Sequence, residues 1–158
     1  MEKQYIQMML ESLQKKEQVL KSLLDQSEAQ KTVLLAENVD WDAFDALTIE
    51  KGTLIDELLK LDEGFESLFE RVKEPLTMKK DLYKTEIGFM QATIRSLTDK
   101  SAELEALEQR NKKLVENKMA ESRQSIKQSK MGSKAAMQYY QRMNKINTID
   151  PQLMDKKS

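Results

Sequence analysis

The sequence has no cysteine and no histidine among its 158 residues. Without cysteine, disulfide frameworks and thiolate chemistry are excluded. Without histidine, an imidazole base, proton shuttle or metal ligand is excluded, and so are the Glu-x-x-His pairs of di-iron helical bundles. Because these groups serve many active sites, we predict a protein that is not an enzyme and has no catalytic residue, cofactor or metal.

Turn-forming residues are also scarce, with four glycines and two prolines. Sandwiches and barrels need many more turns, whereas 34% charged and 39% hydrophobic residues suit long helices with one buried stripe. No apolar run approaches the roughly 18–20 residues of a membrane span. The N-terminus also lacks the apolar core of a signal peptide. We therefore expect one all-α domain, cytoplasmic and without a membrane span.

The spacing of apolar residues predicts three long helices, at about 2–36, 41–73 and 75–127. In each of them apolar side chains recur at steps of three and four residues, which places them on one face. Asp40 is a suitable N-cap for the second helix. Pro75 ends or kinks that helix and suits the first position of the next one. Residues 1–127 are therefore predicted to form a helical bundle.

The packing of these helices depends on a few interruptions in the pattern. Lys51 interrupts the stripe of the second helix, and its aliphatic stem is expected to carry the charge out to solvent. The third helix is predicted to have a solvated face that carries Glu103, Glu105 and Glu108. Near Thr98 the apolar spacing loosens. We predict an antiparallel bundle of coiled-coil-like helices, three in number or four if the last one breaks. The C-terminal part of the third helix is expected to project beyond the other two, to fold back as a fourth helix, or to pair with a second subunit.

The C-terminal region, residues 128–158, is predicted to be a flexible basic tail. From residue 118 onward there are nine Lys or Arg against three Asp or Glu, while the rest of the chain is acidic. The tail also holds four of the ten methionines, whose flexible side chains adapt to varied apolar surfaces. The tail is compatible with plain disorder, with nucleic-acid or anionic membrane binding, or with a protein partner. The methionines favour a helical protein partner.

Several stretches together resemble a known family. They are a leucine-rich N-terminal hairpin, EQRNKKLV at 108–115, GSKAAMQYY at 132–140 and a closing DKK at 155–157. In this layout the chain resembles the FlgN family of flagellar export chaperones. The resemblance covers the whole chain in layout and about forty C-terminal residues in motif. It implies a cytoplasmic, non-enzymatic chaperone for flagellar type III export.

The resemblance also implies partners and a binding region. The clients would be the hook-associated junction proteins FlgK and FlgL, held by their C-terminal amphipathic helices and kept from assembling early. Delivery would be to the flagellar export apparatus. The client-binding residues implied for this chain are Asn111, Leu114, Val115, Met119, Ile126, Met137, Tyr139 and Tyr140.

Two other functions stay open from the residues alone. One is a structural coiled-coil protein whose long helix serves self-association, for example as a homodimer. The other is binding of nucleic acid or a membrane surface through the basic tail, which would weaken steeply with salt. We favour the chaperone, with no nucleic-acid partner.

Overall fold

The computed structural model describes residues 1–121 and 136–143. Three long helices, α1 (Glu2–Leu35), α2 (Trp41–Met78) and α3 (Lys84–Glu121), are followed by a short helix, α4, at residues 136–143. The prediction of an all-α bundle of long helices is confirmed. The predicted tail from 128 lies outside the described residues except for α4, which folds back onto the bundle.

The second helix starts where the sequence indicates. The Asp40 carboxylate accepts a hydrogen bond from the Ala43 amide at 3.1 Å and caps the first turn. Val39 packs on the apolar cluster that contains Phe44, as a hydrophobic staple requires. Trp41 is buried and meets Phe44 edge to face, with ring centroids 5.6 Å apart. The aromatic pair fixes this helix start within the core.

The predicted end of α2 at residue 73 is wrong, because the helix continues through Pro75 to Met78. A proline inside a helix costs about 3 kcal/mol through the lost hydrogen bond and ring clash. Here the last turn also buries Leu76, which is 5% exposed and continues the stripe of Val72. Burial of such side chains contributes about 2 kcal/mol each, so packing offsets much of the proline cost.

The third helix starts later than predicted, at Lys84 rather than 75, because residues 79–83 form the turn after α2. It is continuous through Thr98, whose hydroxyl donates to the Ile94 carbonyl at 2.9 Å within the helix. The predicted alternative of a break at that point is therefore excluded. Residues 122–127 of the predicted helix lie outside the described residues.

The first helix is the centre of the packing, since it lies along both α2 and α3 while those two approach each other less closely. Lys16 pairs with Asp62 of α2. Ser96 and Glu108 of α3 are hydrogen-bonded to Glu17 and Ser27 of α1, so α3 runs parallel to α1. The order of contacts makes α2 antiparallel to α1. The wide side between α2 and α3 is where α4 lies.

Candidate helix-binding site

A layer of buried polar side chains crosses the bundle below α4. Each of them is at most 5% exposed, although most of the surrounding core is apolar. Two come from each long helix, because polar residues stand there at positions of the core stripe. Buried polar groups are stable only when they are hydrogen-bonded. We name this set the polar layer: Ser27, Gln30, Thr48, Lys51, Glu108 and Asn111.

Lys51 is the centre of the polar layer. Its ammonium lies 2.7 and 2.9 Å from the two Glu108 carboxylate oxygens and donates to Gln30 Oε1 at 2.5 Å. The side chain is 1% exposed, so the expectation that its stem carries the charge to solvent is wrong. Burial lowers the pKa of Lys51, and the neighbouring Glu108 opposes that shift. The ion pair joins α2 to α3, whose backbones pack less closely on each other than on α1.

The other members of the layer hold this pair in place. Glu108 accepts a further hydrogen bond from the Ser27 hydroxyl, and it is buried, so its prediction as part of a solvated face is wrong. Asn111 Nδ2 donates to the Ser27 carbonyl at 2.9 Å. Gln30 Nε2 donates to Thr48 Oγ1 at 2.7 Å. Such a connected network orients the Lys51 ammonium before anything binds over it.

The fourth helix places Tyr139 over the polar layer. The Lys51 ammonium lies 4.1 Å from the centroid of the Tyr139 ring, a cation–π contact between two side chains that are 1% and 2% exposed. The Tyr139 hydroxyl is buried close to Ser27 but completes no hydrogen bond among the described residues. Burial and then the Glu108 charge raise the pKa of both Tyr139 and Tyr140. These phenols therefore stay neutral in the folded protein.

Arg142, one turn further along α4, binds α2. Its guanidinium pairs with the Asp56 carboxylate and donates to the Gly52 carbonyl at 3.1 Å. A Cβ at position 52 would lie 3.3 Å from Arg142 Nη1, so glycine is what lets the guanidinium come so close. On α2, Asp56 therefore supplies the negative charge for Arg142, and Gly52 supplies the space for its guanidinium.

Apolar contacts complete the site at both ends of α4. Ala136 joins the cluster that contains Trp41, Phe44 and Val115, and Met143 joins the main core. A cleft of about 100 Å³ remains beside Tyr140 and Lys112. We name the surface that α4 covers the groove. Its chief lining residues are Phe44, Lys51, Gly52, Asp56, Glu108 and Val115.

The structure brings most of the sequence-predicted site residues to this groove. Asn111 and Val115 are buried on α3, with Leu114 and Met119 half-buried beside them. Tyr139 and Tyr140 come from α4 itself, so they now cover the groove rather than line it. Met137 is 51% exposed and lies on the outer face of α4. Ile126 lies outside the described residues.

The members of the site that carry charge are not predicted by the sequence pattern. The pattern places Lys51 and Glu108 in solvent, and it places Arg142 in a basic tail. The available signal was position, because Lys51 and Ser27 stand where the apolar stripes of α2 and α1 require core residues. Lys51 and Ser27 thus stand in stripes that face each other. Together they indicate a buried polar layer if the third helix supplies a carboxylate, which Glu108 does.

No family model, curated protein or solved structure matches this chain. Within residues 1–121 and 136–143, no helix is long and apolar enough to cross a membrane. The same residues contain no cluster of acidic side chains with the geometry of a metal site.

Proposed function

We propose that this protein is a flagellar type III export chaperone of the FlgN type. It binds the C-terminal amphipathic helices of the hook-associated proteins FlgK and FlgL in the cytoplasm, prevents their premature assembly and passes them to the export apparatus. The observation that supports this most is the position of α4. A short helix with one apolar face lies in the groove between α2 and α3, so the groove has the size and polarity of a helix-binding site.

The mechanism follows helix-in-groove recognition. An amphipathic client helix buries its apolar stripe in the groove and loses the surface through which it would self-associate. Because α4 covers the same surface, a client has to displace it. The apparent affinity is then the intrinsic affinity reduced by the fraction of molecules with an open groove.

Moderate affinity is sufficient for this role. A Kd of about 1 μM corresponds to about −8 kcal/mol, which holds a client yet allows its release at the export gate. The contact of Arg142 with Asp56 is partly exposed, at 34% and 59% side-chain exposure, and such pairs contribute about 1 kcal/mol or less. The fourth helix is therefore held weakly enough at this point for a client to compete.

The test is titration calorimetry of the full chain against C-terminal peptides of hook–filament junction proteins. We expect saturable one-to-one binding by the unmodified protein. In the Arg142→Glu variant, repulsion from Asp56 loosens α4, so binding should tighten about three- to tenfold. Met137→Glu is the control, since it introduces the same side chain on the exposed face of α4, away from Asp56, and should leave the affinity unchanged.

The proposal fails if neither the unmodified protein nor Arg142→Glu binds any junction peptide at high micromolar concentration. A mass that rises with concentration, measured by light scattering in the same samples, would then favour self-association through the helices. Binding that is equally tight in all three proteins would instead place the client away from the groove.

A further inference from the structure

The contacts of α4 with the groove describe the helix that the groove accepts. We infer that the groove selects a helix in which a small residue, an aromatic residue and a basic residue follow one another at three-residue steps. In α4 these positions are held by Ala136, Tyr139 and Arg142. The inference rests on the proposed function, because it specifies the client segment for that same site.

The aromatic position is set by Lys51. Its ammonium is bound by Glu108 and Gln30 on the core side and faces the Tyr139 ring on the other, at 4.1 Å from the centroid. An aliphatic side chain at this position would leave the open face of a buried cation against hydrocarbon. A ring supplies a negative face there and still fills an apolar volume.

The aromatic ring, rather than the hydroxyl group, is what the cation selects. The Tyr139 hydroxyl is buried without a hydrogen-bond partner among the described residues. Removing an unpaired buried polar group avoids its desolvation cost. Phenylalanine should therefore be accepted as well as tyrosine or better, which separates recognition of the ring from recognition of the phenol.

The basic and small positions are set by the shape of α2 and its neighbours. The Asp56 carboxylate and the Gly52 carbonyl both accept from the Arg142 guanidinium, and Gly52 leaves room for it. Three residues before the ring, Ala136 is 6% exposed among large apolar side chains. A bulkier residue there would overpack the cluster and lift the helix from the groove.

The experiment uses the full chain with the double substitution Tyr139→Ala and Arg142→Glu, which disengages its own α4. Fluorescence anisotropy measures binding of a labelled peptide that copies residues 132–147. We expect Tyr139→Phe in the peptide to bind as tightly or tighter. Tyr139→Leu should weaken binding about tenfold, and Arg142→Gln about threefold. Ala136→Leu should remove measurable binding, while Met137→Ala, on the outer face, serves as the control and changes nothing.

A second arm tests the role of the cation directly. In a protein that also carries Lys51→Met with Glu108→Gln, no buried charge is left alone, and the tyrosine and leucine peptides should bind alike. The inference is overturned if the unaltered peptide does not bind, or if the leucine peptide binds the Lys51 protein as tightly as the tyrosine peptide. In the latter case, binding of junction peptides would still support the proposed function. If the peptides that copy α4 are selected as expected but no junction peptide binds to any of the proteins, the proposed function is contradicted and the inference about the groove is not.

Discussion

The two ends of the bundle bury different kinds of side chain. At the end where α1 begins and α2 turns into α3, the core consists of residues such as Met9, Phe69 and Met90. At the other end the polar layer lies between the helices and α4 covers it. Apolar contacts are non-directional and tolerate small shifts, whereas each group of the layer needs a particular partner. The first end therefore mainly supplies stability, and the second fixes the register of four helices.

The largest expected effect breaks the polar layer. Glu108→Ala leaves the Lys51 ammonium buried without its counter-ion and should lower the free energy of unfolding by about 4 kcal/mol. The matched double variant Lys51→Met with Glu108→Leu removes both charges, so only the neutral Gln30 and Ser27 groups lose a partner, and it should lose clearly less stability than the single variant. Urea denaturation followed by circular dichroism measures both. Equal losses in the single and the double variant would show that packing volume, and not the charge, decides stability here.

A substitution at the apolar end should cost slightly less and act differently. Met90, which is fully buried, leaves a cavity when replaced by alanine, at a cost of about 3 kcal/mol. Because no polar group loses its partner, the selectivity of the groove for an aromatic helix should be unchanged. Peptide binding and denaturation on the same sample check both statements. If Met90→Ala changes the ratio of the affinities for the tyrosine and leucine peptides, the two ends of the bundle are coupled. That result would contradict the separate roles given to them.

Alkaline pH should weaken the end with the groove. The pKa values of Tyr139 and Tyr140 are raised in the folded protein, so above pH 10 the unfolded chain loses protons that the folded chain keeps. Their contribution to stability is complete below pH 10 and is lost as the pH rises, by up to about 1.4 kcal/mol per pH unit for each group. The Tyr139→Phe, Tyr140→Phe protein should lose less stability between pH 9 and pH 11. Parallel pH curves for both proteins would refute this.

The smallest effect concerns helix propensity away from both cores. A Cβ at Gly64 or Gly88 would meet no atom within 4 Å, so alanine fits there without strain. Each substitution should stabilise the protein by about 0.5–1 kcal/mol, since glycine loses more conformational freedom in a helix. Thermal melting measures the gain. Gly52→Ala is the informative contrast, because its Cβ would crowd Arg142 and offset the same gain.

The long helices and their caps are predictable because their causes are local. The period of apolar residues and the Asp40 cap act within a few residues along the chain. The continuation of α2 through Pro75 depends on whether burial of Leu76 outweighs the free-energy cost of a proline inside the helix. The sequence pattern alone does not give that balance. The burial of the Lys51 ammonium is less predictable still, since it depends on an ion pair with Glu108, 57 positions away. Local pattern places a residue inward, but only the packing provides its partner.

The site is predictable only in part, for the same physical reason. Its apolar members on α3 follow the helical period, so the sequence pattern indicates Val115. The role of Gly52 depends on a guanidinium that is 90 positions away. The place where α4 packs is the side between α2 and α3, which is defined by three helices together rather than by any one segment.

The central position of α1 has a consequence for the order of assembly. It contacts α2 through the hairpin that follows it directly, but it meets α3 through pairs such as Ser27 with Glu108, 81 positions apart. Closing such a long loop costs more entropy, so the hairpin should form first and α3 should dock onto it. During synthesis, the nascent hairpin emerges from the ribosome with its α3-facing side still bare. Completion of α3 is thus the step that ends exposure of that surface to other proteins.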